Sequence, residues 1–206
     1  MQHPSWDVEQ SEDRYGLGFS VQLVGQRQLV GHGGGFPGQS SRTLIDPVDQ
    51  LVIVVLSNTS APDGLAAPLA TQIVRIIDFA LDKARQDETP PKWRLDRYTG
   101  RFANIGGVAD VAAFGNSLVG LSPEADNPVQ FVSDLEVIDE DRLRISKAGG
   151  YGSPGELVRY ERDEEGKTVR VIIGGVSSYA EDVFRERYAE QPHWHTPPHT
   201  GNPSGS

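Results

Sequence analysis

The sequence has no cysteine and a single methionine. Disulfides, thiolate nucleophiles and cysteine-ligated zinc are therefore excluded. The compartment stays open, because a chain of 206 residues buries a core without covalent staples. Long apolar runs are also missing. The longest, Leu51 to Leu56, has six residues, far short of the ~18–20 that a membrane helix needs. The first residues, Met1-Gln2-His3-Pro4-Ser5-Trp6-Asp7, hold no basic cluster and no apolar stretch, so no secretory leader is expected on them. Positive charge is scarce as well. Nineteen basic residues face 29 acidic ones, for a net charge of −10. Residues 1–91 hold 6 basic and 11 acidic side chains and residues 92–206 hold 13 and 18, so neither half offers the basic patch that nucleic acid or an anionic membrane requires.

What is present reads as two regions of different rhythm. After a polar, acidic lead-in over 1–13, Tyr15 to Val24 alternates as a strand, Gly25-Gln26 turns the chain, and Gln28–Gly33 returns. Five glycines follow between Gly31 and Gly38. Ser41–Asp46 alternates again, and Asp46-Pro47-Val48-Asp49 is a turn. Leu51–Leu56, apolar on both faces, predicts a strand buried in the middle of a sheet. Leu65, Leu69, Ile73, Ile76/Ile77 and Ala80/Leu81 recur at helical steps, with Asp63 as cap and an end near Arg85. Gln86 to Pro91 is a polar, proline-stiffened linker. Beyond it only short strands are expected: 98–103, 108–114, 117–121, 129–138, 142–146, 157–162, 168–173 and 182–187. Their spacing, with Gly115-Asn116 and Asp163 to Gly166 as hairpin turns, predicts a small antiparallel barrel. Residues 191–206, rich in proline, histidine, glycine and serine, are expected to be a disordered tail. The expected fold class is α+β: a partial antiparallel sheet with a helix at its C-terminal end (1–91), a barrel (92–190) and the tail.

The stretch that carries chemistry runs from Tyr15 to Asn58. Its landmarks are Tyr15-Gly16-Leu17-Gly18-Phe19, Gly31-His32-Gly33-Gly34-Gly35-Phe36-Pro37-Gly38, Ser41, Pro47 and Val54-Val55-Leu56-Ser57-Asn58. In order and spacing it resembles the C-terminal third of the catalytic domain of the serine β-lactamase-related family, which includes class C β-lactamases, penicillin-binding DD-peptidases, D-aminopeptidases and β-lactamase-like esterases. The resemblance covers roughly residues 10–86. It implies that His32-Gly33-Gly34 is the family's third motif, Lys-Thr-Gly or His-x-Gly, on a strand flanking the pocket. It also implies that Gly33 and Gly34 line the substrate, that the Gly35 N–H is an oxyanion donor, and that His32 orients the nucleophile or contacts a substrate carboxylate. No cofactor and no metal is implied.

The family's other two motifs are missing. The residues three before the four lysines, Lys83, Lys92, Lys147 and Lys167, are Ala80, Thr89, Arg144 and Glu164, so no Ser-x-x-Lys exists. Gly-x-Ser-x-Gly is absent too. Tyr151-Gly152-Ser153 fits Tyr-x-Ser but follows the third motif instead of preceding it. The sequence is thus expected to be a C-terminal piece whose substrate, a small molecule or a peptide, is turned over only with the missing half. By itself it is expected to be inactive and to self-associate through an exposed sheet edge and an apolar face.

In the second region, Tyr98-Thr99-Gly100-Arg101-Phe102, Asn116 to Leu121, Leu143-Arg144-Ile145 and Leu157 to Tyr160 resemble the lipocalin-like barrel appended to many family members. Few large apolar residues are left over for a pocket, so a barrel filled by side chains is expected. His193, His195 and His199 read as a solvated tail and not a metal site. Asp139-Glu140-Asp141 and Glu164-Glu165 read as turn acids. Two other readings remain: a non-catalytic binding or assembly module, and an independent lipocalin-like binder with 1–91 as an oligomerisation arm.

Overall fold

The computed structural model describes residues 6–7, 14–59, 64–86, 91–150 and 152–188. Asp63, most of the linker, Tyr151 and the histidine-bearing tail lie outside these residues. The chain divides into two units, one of Met1–Pro90 with Phe114–Asn116 and Glu124–Gln130, the other of the remainder.

The first unit is an antiparallel meander. Its strands are β1 (Trp6–Asp7), β2 (Arg14–Tyr15), β3 (Ser20–Val24), β4 (Arg27–Phe36), β5 (Gln39–Asp46) and β6 (Leu51–Ser57), and they neighbour one another in sequence order. The expected strand from Tyr15 to Val24 is broken in two. Gly18, at φ 89, and a bond from the Gly16 N–H to the Phe19 carbonyl make a tight turn there. The lead-in contributes Trp6–Asp7 as a strand paired with Arg14–Tyr15. β4 is longer than the return strand read from the sequence, because the glycine run stays in ladder with β5 as far as Phe36↔Gln39. Both β4 turns have two residues. Gly25, at φ 60, opens one, and Gly38, at φ 85 behind Pro37, closes the other.

Helix α1 (Ala66–Gln86) covers one face of this sheet. Ala66, Ala70 and Val74 recur every four residues and pack with Val24, Leu29, Leu44, Ile53 and Val55. The buried stripe differs in part from the one expected: Ile73 and Ile77 pack against the core, but Leu65 and Leu81 are exposed, and the small Ala66 and Ala70 take the contact. Alanine lets the helix axis approach the sheet, and that close approach decides the helix rotation. The expectation for Leu51–Leu56 is also corrected. β6 is the outermost strand of the described sheet, and Val52 and Val54 are each 58% exposed. Alternation sends Ile53 and Val55 to the helix and Val52, Val54 and Leu56 to the opposite face, which no described residue covers at β6.

One ionic cluster ties this unit together. The Arg27 Nε donates to Asp78 of α1 at 2.5 Å, and its Nη1 donates to Asp46 and Asp49 of the β5–β6 corner, each at 2.5 Å. These bonds, Asp78 first, push the Arg27 guanidinium further up from its already high pKa. Burial alone would push the Asp46 carboxyl up. Arg27 and the N–H groups of Asp49 and Val48 together outweigh it and hold that carboxyl below its ordinary value.

The second unit carries a closed barrel. Its strands are β7 (Gly100–Asn104), β8 (Gly107–Phe114), β9 (Ser117–Leu121), β10 (Ser133–Val137), β11 (Arg142–Lys147), β12 (Leu157–Arg162), β13 (Thr168–Ile173) and β14 (Val176–Ala180). Each pairs with its sequence neighbour, and β14 pairs with β7 to close the ring. Tyr98, Phe102, Leu143, Ile145, Val158 and Tyr160 fill the interior. The Tyr160 hydroxyl donates to the Tyr98 carbonyl at 2.9 Å, and the Tyr98 hydroxyl donates to the Asp139 carbonyl at 2.9 Å. Burial pushes the Tyr160 phenol up, so it stays a neutral donor.

The strand expected over 182–187 is instead helix α2 (Glu181–Tyr188), and Val176–Ala180 is the closing strand. Glu181 and Asp182 in the first turn, and Arg185 and Arg187 in the last, suit a helix dipole. Asp139, read as a turn acid, caps its own turn by accepting an N–H bond, and Asp163 does the same in the hairpin turn expected at 163–166.

Candidate functional site

The four residues singled out from the sequence, His32, Gly33, Gly34 and Gly35, are consecutive on β4. The register fixes which way each one faces. In a two-residue hairpin the residues flanking the turn exchange both hydrogen bonds, and bonded pairs then alternate. Val24↔Arg27 and Phe36↔Gln39 are the flanking pairs. The two hairpins give the same assignment. Arg27, Leu29 and Gly31 bond toward β3, whereas His32, Gly34 and Phe36 bond toward β5. The peptide groups of Gly33 and Gly35 therefore point to the β3 side. The β3 ladder stops at Ser20↔Gly31. Among the described residues no strand pairs with His32–Phe36 on that side, so the C-terminal half of β4 is an open edge.

Side chains alternate in the same way. His32 and Gly34 face away from α1, with Thr43 and Ser41 opposite them, while Gly33 and Gly35 share the α1 face with Arg42 and Ser40. The exposed His32 ring sets its Nδ1 against the Gly33 carbonyl. A carbonyl only accepts, so Nδ1 is the donor in this contact and Nε2 takes no part in it.

The glycines are not equivalent. A Cβ on Gly31 would lie 1.9 Å from the Thr43 carbonyl oxygen, so that glycine is required by the fold. A Cβ on Gly33 would meet Arg42 Nη1 at an ordinary 3.6 Å, and one on Gly35 would find no described atom within 4 Å. Packing among the described residues does not require glycine at 33 and 35. A glycine inside a strand sacrifices roughly 0.5–1 kcal/mol against alanine, and it commonly marks the close approach of a ligand or another backbone.

Two pockets adjoin this edge. One, of about 500 Å³, is bordered by Gly33, Gly35, Ser40, Arg42 and Gly64. The other, of about 560 Å³, is bordered by Gly34, Phe36, Leu56 and Asn58. Ser40 Oγ is buried and has no hydrogen-bond partner among the described residues. Arg42 lies over Gly33, and its Nη2 donates to the Gln22 side-chain carbonyl. Arg42 and Ser40 were not read from the sequence, where they pass for ordinary strand residues. The signal was nonetheless there: with Pro37-Gly38 as a two-residue turn, counting back along both strands sets Arg42 opposite Gly33 and Ser40 opposite Gly35. Among the described residues no group of three or more histidine, aspartate or glutamate side chains is placed to hold a metal.

Residues 1–76 match the family model described as Beta-lactamase. No curated protein matches the sequence. Similar solved structures include a crystal structure of SurE with D-Leu, at 19% identity over 85% of this chain and 42% of that one, with a TM-score of 0.33. Another, of SurE, is 20% identical over 84% of this chain and 40% of that one, also with a TM-score of 0.33. The chain thus spans about two fifths of the length of these structures. At that TM-score the likeness carries no argument.

Proposed function

We propose that this chain supplies the substrate-binding strand of a β-lactamase-related serine hydrolase. In the complete protein an ester, amide or β-lactam would be opened through an acyl-serine. The observation that carries this reading is the open edge at Gly33–Gly35, within the segment that matches the family model. Its bare glycines admit a ligand backbone, and the Gly35 N–H points off the edge, where charge develops on a carbonyl oxygen. His32, with Nδ1 committed to Gly33, offers Nε2 to the other side of the same strand. The barrel, on this reading, is the lipocalin-like domain appended to such enzymes.

The 206 residues hold no Ser-x-x-Lys, so the nucleophile and its base must come from elsewhere. A fluorophosphonate or a fluorescent penicillin is expected to leave the chain unlabelled by itself. Labelling is expected at a serine encoded upstream of Met1 once that segment is co-expressed. Labelling of a serine within the 206 residues overturns the reading, as does a stop codon directly upstream.

The exposed part of the face away from α1 supports the same reading, although Val21 and Val30 on that face are buried. Leu23, Val52, Val54, Leu56 and Phe36 are 58–78% exposed and lie on the face away from α1. Apolar surface of that kind is usually covered by another part of the protein or by another chain. We expect the chain alone to associate, eluting above its 22.4 kDa monomer mass in light-scattering chromatography. A monodisperse species at 22.4 kDa counts against that expectation.

A further inference from the structure

Strand β6 lacks the devices that usually protect an edge. A sheet edge offers a row of unpaired N–H and C=O groups, and proteins blunt it with lysine, proline, a bulge or shortness. β6 runs seven residues, Leu51 to Ser57, with no charged side chain and no proline. Its register with β5 is unbroken from Asp46↔Leu51 to Ser40↔Ser57. Among the described residues no strand pairs with its outer side. The bare edge at Gly33–Gly35 of β4 is a weaker template, because glycine weakens a strand and offers no side chain to pack.

The register shows which peptide groups β6 leaves bare. His32 and Gly34 bond toward β5, so their partners Thr43 and Ser41 bond toward β4. Leu44 and Arg42 then bond toward β6, opposite Ile53 and Val55. The peptides of Val52, Val54 and Leu56 therefore point off the edge. Their side chains stand exposed on the face away from α1. The other face is apolar at this edge too. Helix α1 lies against β5 and β6, and Asp78 marks the flank that reaches back to Arg27 of β4. At about 100° per residue, Leu69 and Ile76 fall on the opposite flank, the one turned toward the bare edge.

We infer that β6 is a dimerisation edge, on which a second copy of this chain adds its own β6 antiparallel across a twofold axis at Val54. The occupant is a second copy because the strand is complementary to itself. An axis at Val54 sets Val54 against Val54 and Val52 against Leu56. All the outward-pointing peptides then fall in bonded pairs, for about six new backbone hydrogen bonds. Ile53 meets Val55 on the α1 face. Further out, Leu51 meets Ser57 and Gln50 meets Asn58, so no like charges are opposed. Directly opposite residues share a face, so Val52, Val54 and Leu56 of both copies form one apolar band, and the Leu69 flank of α1 comes beside its mate. Each chain has one β6, so the assembly closes at two. β5 separates this edge from β4, and the inference holds whether or not β4 binds a substrate.

The test joins light-scattering chromatography to amide hydrogen exchange in the ¹⁵N-labelled full chain, at low and high concentration. The mass is expected to rise from 22.4 kDa to twice that value. The amides of Val52, Val54 and Leu56 are expected to become protected together with it. Val54→Pro removes an N–H that points off the edge and leaves the ladder with β5 whole. It is expected to raise the dimer dissociation constant at least about tenfold, through lost hydrogen bonds on both copies. Val54→Lys sets like charges face to face on the axis and is expected to act in the same direction. Leu23→Lys, on the same face but on β3, is expected to leave the dimer intact. Each spectrum also reports whether the variant is folded. Should Val54→Pro not fold, Val54→Lys, at an exposed side chain, carries the test.

A monomer at every concentration overturns the inference. So does a dimer whose β6 amides still exchange freely, or one that Leu23→Lys dissolves, since either result places the contact on the sheet face. Protection of the Gly33 and Gly35 amides alone moves the contact to β4 and overturns it as well. Protection of the β6 amides in a particle of monomer mass means that another segment of the same chain covers the edge, and the second copy falls. The hydrolase reading is decided separately by serine labelling, which none of these outcomes alters.

Discussion

Gly31→Ala is expected to destabilise the first unit by about 3 kcal/mol or more, at the upper end of what overpacking costs. The added methyl would sit 1.9 Å from the Thr43 carbonyl oxygen and 2.8 Å from its carbon. Both are backbone atoms of β5, so no side chain can swing aside. Relief requires β4 and β5 to part along a ladder that runs from Val30↔Ile45 to Phe36↔Gln39. The Gly31 carbonyl also accepts the buried Ser20 hydroxyl at 2.9 Å, which ties β3 to the same point. Gly35→Ala is the matched control. With no described atom within 4 Å of its Cβ, it is expected to leave stability unchanged or to raise it by up to about 1 kcal/mol. Urea midpoints of the two variants measure the contrast. Equal losses would show that the glycine run is uniformly structural and would remove the ground for assigning Gly35 to a ligand.

Arg27→Met is expected to cost a similar amount, about 3–5 kcal/mol, by leaving a buried carboxylate uncompensated. Asp46 is the residue exposed to that loss, since its side chain is 5% accessible and its other oxygen caps the β5–β6 corner through the N–H groups of Val48 and Asp49. The pH dependence separates this cause from a simple packing defect. In the native chain the Asp46 carboxyl is held below its ordinary value, so its contribution is present above the unfolded pKa of roughly 3.9 and is lost as pH falls through the folded one. Without Arg27 the largest remaining influence is burial, which raises the carboxyl. Stability should then increase as pH falls toward the unfolded value. The gap between Arg27→Met and the parent is therefore expected to narrow from pH 7 to pH 4.5 in urea unfolding. A gap that is the same at both pH values would assign the loss to packing alone.

Much of the fold was legible wherever local chemistry decides it. Gly25-Gln26 and Pro37-Gly38 are turns because one residue in each needs a left-handed or proline-fixed backbone, and these turns alone determine the register that opens the Gly33–Gly35 edge. Tertiary packing hid the rest. Leu51–Leu56 is apolar on both faces, as a central strand would be, yet helix α1 covers only one side. The helix stripe was legible at Ile73 and Ile77, which pack against the core, but not at its first turns, where Ala66 and Ala70 are buried instead of Leu65 and Leu69 because contact distance and not side-chain size set the rotation. After the barrel strands, residues 182–187 were read as a strand, although Glu181 and Asp182 come first and Arg185 and Arg187 last, a charge order that belongs to a helix. Arg42 was passed over because an arginine in a strand usually reaches solvent. Only its cross-strand partner, a glycine with no side chain to hold it off, shows that it lies back over the sheet.

The strand order also sets a sequence of events in time. Every pairing in the first unit joins consecutive strands, and the short β3–β4 and β4–β5 turns close over few residues, which favours rapid folding. The barrel shares that economy along seven of its eight seams. The eighth joins β14 to β7, where Asn104 meets Ser178 across 74 residues of chain. That seam is expected to close late, because its loop-closure cost is the largest of the eight. Until it does, β7 and β14 each present a bare edge, so a growing or refolding chain is most vulnerable to mispairing just before the ring shuts.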